Sequence, residues 1–214
     1  MSRLVQIETS QEGDISRRKV LHAIALSVTA TGFSSLEPIW GQHIHEAVNH
    51  EREKDGTYAP QLLTEHEFKT IRHLAELIIP ADAKGPSGAE AGAAEFIDLL
   101  CSQNDILANI YKDGVSWIDT RMRHICKTSF LRAPETQKTT LLDQFVEAEL
   151  NIEQHPELSS GVTFFNWMRK MSIDAYYTSK FGIKDIGYMG NDTLSEYTVP
   201  QKEIDAMIKK AGLA

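Results

Sequence analysis

Apolar positions along the chain recur mainly at helical spacing. The firmest case begins at Thr64-Glu65-His66-Glu67, where Thr64 as N-cap and Glu67 reaching back form a capping box. Phe68, Ile71, Leu74, Ala75 and Ile78 then return every three or four residues. Pro80 ends that helix, because it lacks an N–H and disfavours a helical residue before it. Residues 81–92 read as a loop rich in Gly, Ala and Pro, and helix resumes over 93–100 with Phe96, Ile97, Leu99 and Leu100 inward. A longer helix is expected over 106–127, striped by Leu107, Ile110, Tyr111, Trp117, Ile118, Met122 and Ile125. Pro134 suits the first turn of the next helix, whose apolar face is Leu141, Leu142, Phe145, Val146 and Leu150 and whose end is His155-Pro156. Residues 162–177 make another, with Phe165, Met168, Ile173 and Tyr176 among its inward positions. No stretch of strand length alternates apolar with polar residues, and no segment repeats. The pattern predicts an all-α, compact multi-helix domain.

The two ends differ from this middle. Residues 178–197 carry Gly182, Gly187 and Gly190 among aromatic and apolar residues, which reads as a loop with specified turns. A short terminal helix follows, with Pro200 at its start, Ile204, Met207 and Ile208 on one face, and Gly212 past its end. At the other end, Ser16-Arg17-Arg18-Lys19-Val20-Leu21 opens a run, residues 20–33, that contains no Asp, Glu, Lys or Arg. The run is too short to span a bilayer. Adjacent arginines before a short, mildly apolar stretch are similar to a twin-arginine export signal, with Arg17 and Arg18 as its core. Val28-Thr29-Ala30 supplies a small-residue pattern for cleavage. The plainer reading is an arginine pair at the start of an ordinary amphipathic helix. The chain thus divides into a leader (1–34), a polar tether or short helix (35–60) and a helical domain (61–214).

Composition narrows the function. Of 214 residues, 42% are hydrophobic and 24% charged, as in a soluble globular protein long enough to fold without a staple. The net charge of −8 is a poor match for a phosphate backbone, so nucleic acid is not an expected partner. Cys101 and Cys126 form no C-x-x-C or C-x-x-C-H pattern. They could pair as one disulfide in an oxidising compartment or remain two unpaired thiols.

Catalytic patterns fail when tested. His45-Glu46 would need a second histidine at Asn49 to make H-E-x-x-H, and His50 lies one residue too far. His43 and His50 stand two turns apart, about 10 Å of rise, and His66 and His73 repeat that spacing. Residues 42–50 therefore read as a solvated histidine-rich segment. Gly85-Pro86-Ser87-Gly88-Ala89-Glu90-Ala91-Gly92 has neither the G-x-G-x-x-G spacing nor the ending of a phosphate loop. Glu147 and Glu149 lie on different helix faces, and Glu95 with Asp98 reads as a solvated edge. The sequence nominates no catalytic, cofactor-binding or metal-ligating residue.

Two stretches carry a family resemblance. The first is Phe68-x-x-Ile71-x-x-Leu74-Ala75-Glu76-Leu77-Ile78-Ile79-Pro80-Ala81-Asp82 followed by Gly88-Ala89-Glu90-Ala91-Gly92-Ala93-Ala94-Glu95-Phe96-Ile97-Asp98. The second is Tyr177-Thr178-Ser179-x-x-Gly182-Ile183-Lys184-Asp185-Ile186-Gly187-Tyr188-Met189-Gly190-Asn191. In this order, and behind a twin-arginine leader, they resemble the opening and closing segments of the gluconate 2-dehydrogenase subunit 3 family. Lys180-Phe181 departs from the pattern, where a small residue and Pro are commoner. The resemblance implies a small, non-catalytic subunit of a membrane-associated bacterial dehydrogenase. It implies a large flavoprotein partner of the glucose-methanol-choline type that holds FAD and oxidises a sugar, sugar acid or polyol. A cytochrome c subunit often accepts the electrons. The small subunit is expected to aid maturation of the large one and to carry a shared signal to the twin-arginine translocase. Its place would be the periplasm, at the inner membrane through the complex or an uncleaved leader.

The expected docking segment is Phe181, Gly182, Ile183, Gly187, Tyr188, Met189, Gly190 and Asn191, because aromatic and Met residues are favoured interface anchors. The same segment could instead close the subunit's own core. A stand-alone exported ligand-binding protein is the competing function, and it predicts a deep apolar pocket.

Overall fold

A computed structural model describes residues 17–30, 38–187, 199 and 201–212. These residues form nine α-helices: α1 (Arg17–Ala30), α2 (Pro38–Asp55), α3 (Glu65–Ile78), α4 (Ala93–Cys101), α5 (Asp105–Cys126), α6 (Glu135–Glu149), α7 (Ser159–Tyr177), α8 (Lys180–Asp185) and α9 (Gln201–Lys210). Short 3-10 turns at Phe130–Arg132, Ile152–Gln154 and Pro156–Leu158 link the middle helices. The expected all-α architecture is the one observed.

The core is built around α4. All nine of its residues are buried, and α1, α2, α3, α5 and α7 pack around it. A helix enclosed on every side must be apolar all round, and Phe96, Ile97, Leu99 and Leu100 meet that condition. Its two acids do not; Asp98 is partnered through both carboxylate oxygens, whereas Glu95 is paired through Oε1 alone and its buried Oε2 has no hydrogen-bond partner. Asp98 accepts from the Tyr58 hydroxyl at 2.8 Å and from the backbone N–H groups of Gln61, Leu62 and Leu63 at 2.6, 3.2 and 2.8 Å. Glu95 pairs with Arg52 of α2 at 2.6 Å. The solvated edge expected of these two carboxylates is thus a buried polar network. It ties the chain before α3, and helix α2, to the central helix.

Local signals place the surrounding helices. Thr64 and Glu67 form both halves of the capping box at the start of α3. Asn104 caps α5 by accepting from the N–H groups of Ile106 and Leu107. Leu107, Tyr111, Val115, Ile118 and Met122 of α5 face the core, but Ile125 lies past it at the helix end and is exposed. On α6, Leu141, Leu142 and Phe145 are buried, whereas Val146 is about half exposed and Leu150 is 81% exposed. Leu150 is the C-cap, just past the end of α6. Ile173 of α7 is likewise outward, while Phe164, Phe165, Met168 and Met171 fill the interior.

The N-terminal helices join this body. Residues 38–55 are an 18-residue helix, longer than the tether or short helix expected, and its Ile44 and Val48 enter the core. Helix α1 places Leu21, Ile24, Ala25 and Val28 in the same core. By contrast, α9 buries no residue, and its Ile204, Met207 and Ile208 are exposed.

Candidate partner-docking site

The corner between α7 and α8 is held by side chains that hydrogen-bond their own backbone. Thr178 Oγ1 donates to Asp174 O at 2.6 Å, and Ser179 Oγ donates to Tyr176 O at 2.6 Å. Ser179 Oγ also accepts from the N–H groups of Phe181 and Gly182 at 3.2 and 3.3 Å, which starts α8. Residues 180–185 are therefore a short helix where the sequence reads as loop; the Ser179 cap supplies the start that the glycines obscured. Gly182 is required by packing. A Cβ there would run into the Tyr176 carbonyl oxygen, with Tyr177 Cα only 2.5 Å away. Gly187 follows at φ 66°, the left-handed conformation that ends α8.

This rigid corner presents an apolar surface. Phe181 is 37% exposed, Ile186 is 59% exposed and Tyr177 is 42% exposed, while Ile183 is half-buried. The Lys180 ammonium lies over the Phe181 ring, 5.0 Å from its centre. Of the expected docking residues, Phe181, Gly182, Ile183 and Gly187 are placed here, whereas Tyr188, Met189, Gly190 and Asn191 lie outside the described residues. Gly182 is buried and serves the fold, so the apolar side chains that α8 turns outward are Phe181 and Ile186. The latter escaped the sequence reading because exposure of one face of α8 is visible only once the helix exists.

Two further segments meet the corner. The Gly-rich loop is folded on itself: Asp82 Oδ1 accepts from Lys84 N and Gly85 N at 2.8 and 2.9 Å, and Glu90 accepts from Ser87 N at 2.8 Å. These donors hold both carboxyls below the usual carboxylate range. Gly85 lies against the Tyr176 hydroxyl, which a Cβ at that position would have to push aside. From the other side, α2 contributes His45, whose Nε2–H donates to Ala175 O at 2.8 Å and whose ring tilts against Phe96 at 5.1 Å. Burial pushes the His45 pKa down, partly opposed by that hydrogen bond. His45 is thus a packed tie between α2 and α7, unlike the exposed His43 and His50 that flank it.

Between α2, the loop and α8 lies a cleft of about 420 Å³. Val48, Ala91, Phe181 and Ile183 form its apolar part, and Gln42, Glu46, Asn49, Arg52, Glu90 and Lys180 form its polar part. That mixed wall is not the apolar chamber a stand-alone ligand carrier would need. Among the described residues, no group of three or more His, Cys, Asp and Glu could hold a metal ion. Two other His contacts link separate parts of the fold. His66 Nε2 meets Asp119 Oδ2 at 2.7 Å, and Asp119 Oδ1 accepts from Phe130 N at 2.9 Å. Buried Lys138 reaches His73 at 3.0 Å and Glu135 at 2.6 Å.

Both cysteines are free thiols. Cys101 ends α4 beside the start of α5, and Cys126 ends α5, some 21 residues and about 31 Å farther along the helix axis. A disulfide needs Cα atoms within about 7 Å. The pairing the sequence left open is therefore excluded by the length of α5.

No curated protein and no solved structure matches the chain. A family model, that of gluconate 2-dehydrogenase subunit 3, matches residues 65–195, which include α3 to α8 and the whole α7–α8 corner.

Proposed function

Because the chain belongs to the gluconate 2-dehydrogenase subunit 3 family, and so stands beside a dehydrogenase subunit, we propose that it is the small, non-catalytic subunit of a periplasmic FAD-dependent sugar or sugar-acid dehydrogenase. The large subunit, a flavoprotein of the glucose-methanol-choline type, would hold FAD and carry out the oxidation. A cytochrome c subunit would take the electrons. The small subunit would aid maturation of the flavoprotein and lead it to the twin-arginine translocase through Arg17 and Arg18.

The observation that best supports this reading is the α7–α8 corner. Its backbone is braced by Thr178, Ser179 and Gly182, yet the side chains it displays, Phe181 and Ile186, are apolar and unburied. A fixed backbone lowers the entropy lost on binding, and exposed aromatic and aliphatic side chains supply the contact. The test is co-expression of the chain with the large flavoprotein, scoring complex formation and the flavin content of the large subunit. The reading holds if omission of this chain leaves the flavoprotein apo or cytoplasmic. A large subunit that acquires FAD and reaches the periplasm equally well alone would overturn it.

A further inference from the structure

The helix that carries the expected export signal is not free of the body. Helix α1 packs on α2, α4 and α5, and Leu21, Ile24, Ala25 and Val28, spaced as one helical face, are buried there. A polar clamp accompanies the apolar contact. Asn104 Nδ2 donates to Ala25 O at 2.8 Å and to Thr29 Oγ1 at 2.9 Å. Its Oδ1 accepts from Ile106 N at 2.9 Å and Leu107 N at 3.0 Å. The Ala25 carbonyl and the two backbone N–H groups fix which end of the amide is which, since carbonyls only accept and backbone N–H groups only donate. The residue that starts α5 therefore also grips α1 in its final turn. Thr29 Oγ1 completes the link by donating to Leu26 O at 3.1 Å.

We propose that the groove of α2, α4 and α5 is a receptor for the chain's own leader helix, and that Asn104 latches it. The idea rests on the leader reading of Arg17 and Arg18. In the latched state the apolar face of α1 is hidden from a translocase, and the small-residue stretch Val28-Thr29-Ala30 lies within a helix, where a peptidase cannot take it as extended chain. Export and any cleavage then both require α1 to leave the groove. The leader thus has two alternative hosts, its own folded body and the export machinery.

The latch can be separated from the cap by one substitution. Asn104→Asp keeps an oxygen for the α5 N–H groups, and its charge suits a helix N-terminus. It loses both donors toward α1 and sets a carboxylate against the Ala25 carbonyl. Hydrogen exchange on the purified full chain reads the result. In the wild type, amides of residues 24–29 should be protected like those of α2. In Asn104→Asp their protection should fall at least tenfold while α4, α5 and α7 keep theirs, and processing of the exported precursor should speed up. The proposal is overturned if wild-type α1 amides exchange at the unstructured rate, or if the folded variant keeps α1 protected. It is also overturned if protection is lost but export and processing rates do not change. Failure of the leader reading looks different: replacing Arg17 and Arg18 with Lys would leave export unaffected while α1 stays protected.

Discussion

Removing the Asp98 carboxylate should be among the most damaging single changes in the protein. Asp98 is fully buried on α4 and accepts four hydrogen bonds, three of them from successive backbone N–H groups at residues 61–63. Asp98→Ala leaves those donors and the Tyr58 hydroxyl facing an apolar void. A hydrogen bond to a charged group is worth about 1.5–3 kcal/mol, and the stranded donors add desolvation cost. Water entering the void would recover part of this, so the net loss should be about 4 kcal/mol, in the range for breaking a buried charged network. At about 2–4 °C per kcal/mol for a domain of this size, the midpoint of thermal unfolding should fall by roughly 8–16 °C. Tyr58→Phe removes one of the four bonds and should cost about 1 kcal/mol. Asp98→Asn, which keeps the shape but turns a donor toward donors, should fall between them. Urea unfolding followed by far-UV circular dichroism measures all three. A loss below about 1 kcal/mol for Asp98→Ala would refute the claim that this carboxylate anchors the entry to α3.

Other changes test the site and its supports. Gly182→Ala sets a Cβ against the Tyr176 carbonyl and should displace α8, weakening partner binding and lowering the unfolding midpoint, as calorimetry and a binding titration would show together. Burial lowers the His45 pKa, so the folded chain resists a proton that the unfolded chain accepts below about pH 6.5. Stability should therefore decline as pH falls from 7 through the depressed value, and His45→Gln, whose amide can still donate to Ala175 O, should flatten that part of the pH–midpoint curve. Thiol labelling should modify Cys126 readily and the buried Cys101 only after denaturation, and the intact mass should show two reduced thiols even after mild oxidation.

Much of the fold is legible from short-range chemistry. The capping box at Thr64, the stop before Pro80 and the apolar stripes of α3 and α5 each have a local cause, and the structure places them within a residue or two of expectation, while α7 begins three residues earlier than expected. The misreadings share a different cause. Whether Glu95 and Asp98 face water depends on α4 being enclosed by five other helices, which no periodicity within α4 can report. Val146 and Leu150 look like core because α6 is apolar on more than one side, and only the position of α7 decides which side is covered. His45 is indistinguishable in sequence from His43 and His50, yet its ring alone reaches Ala175. The candidate site was half visible: the segment was found through its Phe and Gly residues, but the cap at Ser179 and the exposure of Ile186 required the packed corner.

In the proposed function the α7–α8 corner is the docking surface for the large dehydrogenase subunit. The direct measurement is the affinity of the purified large subunit for the wild-type chain and for a folded Phe181→Ala/Ile186→Ala variant. Loss of one interface anchor costs about 2 kcal/mol or more, close to thirtyfold in affinity. The double variant should therefore bind at least thirtyfold more weakly, with its helical content and unfolding midpoint unchanged. Equal affinity for the two proteins would contradict the central claim and move the partner surface elsewhere on the subunit.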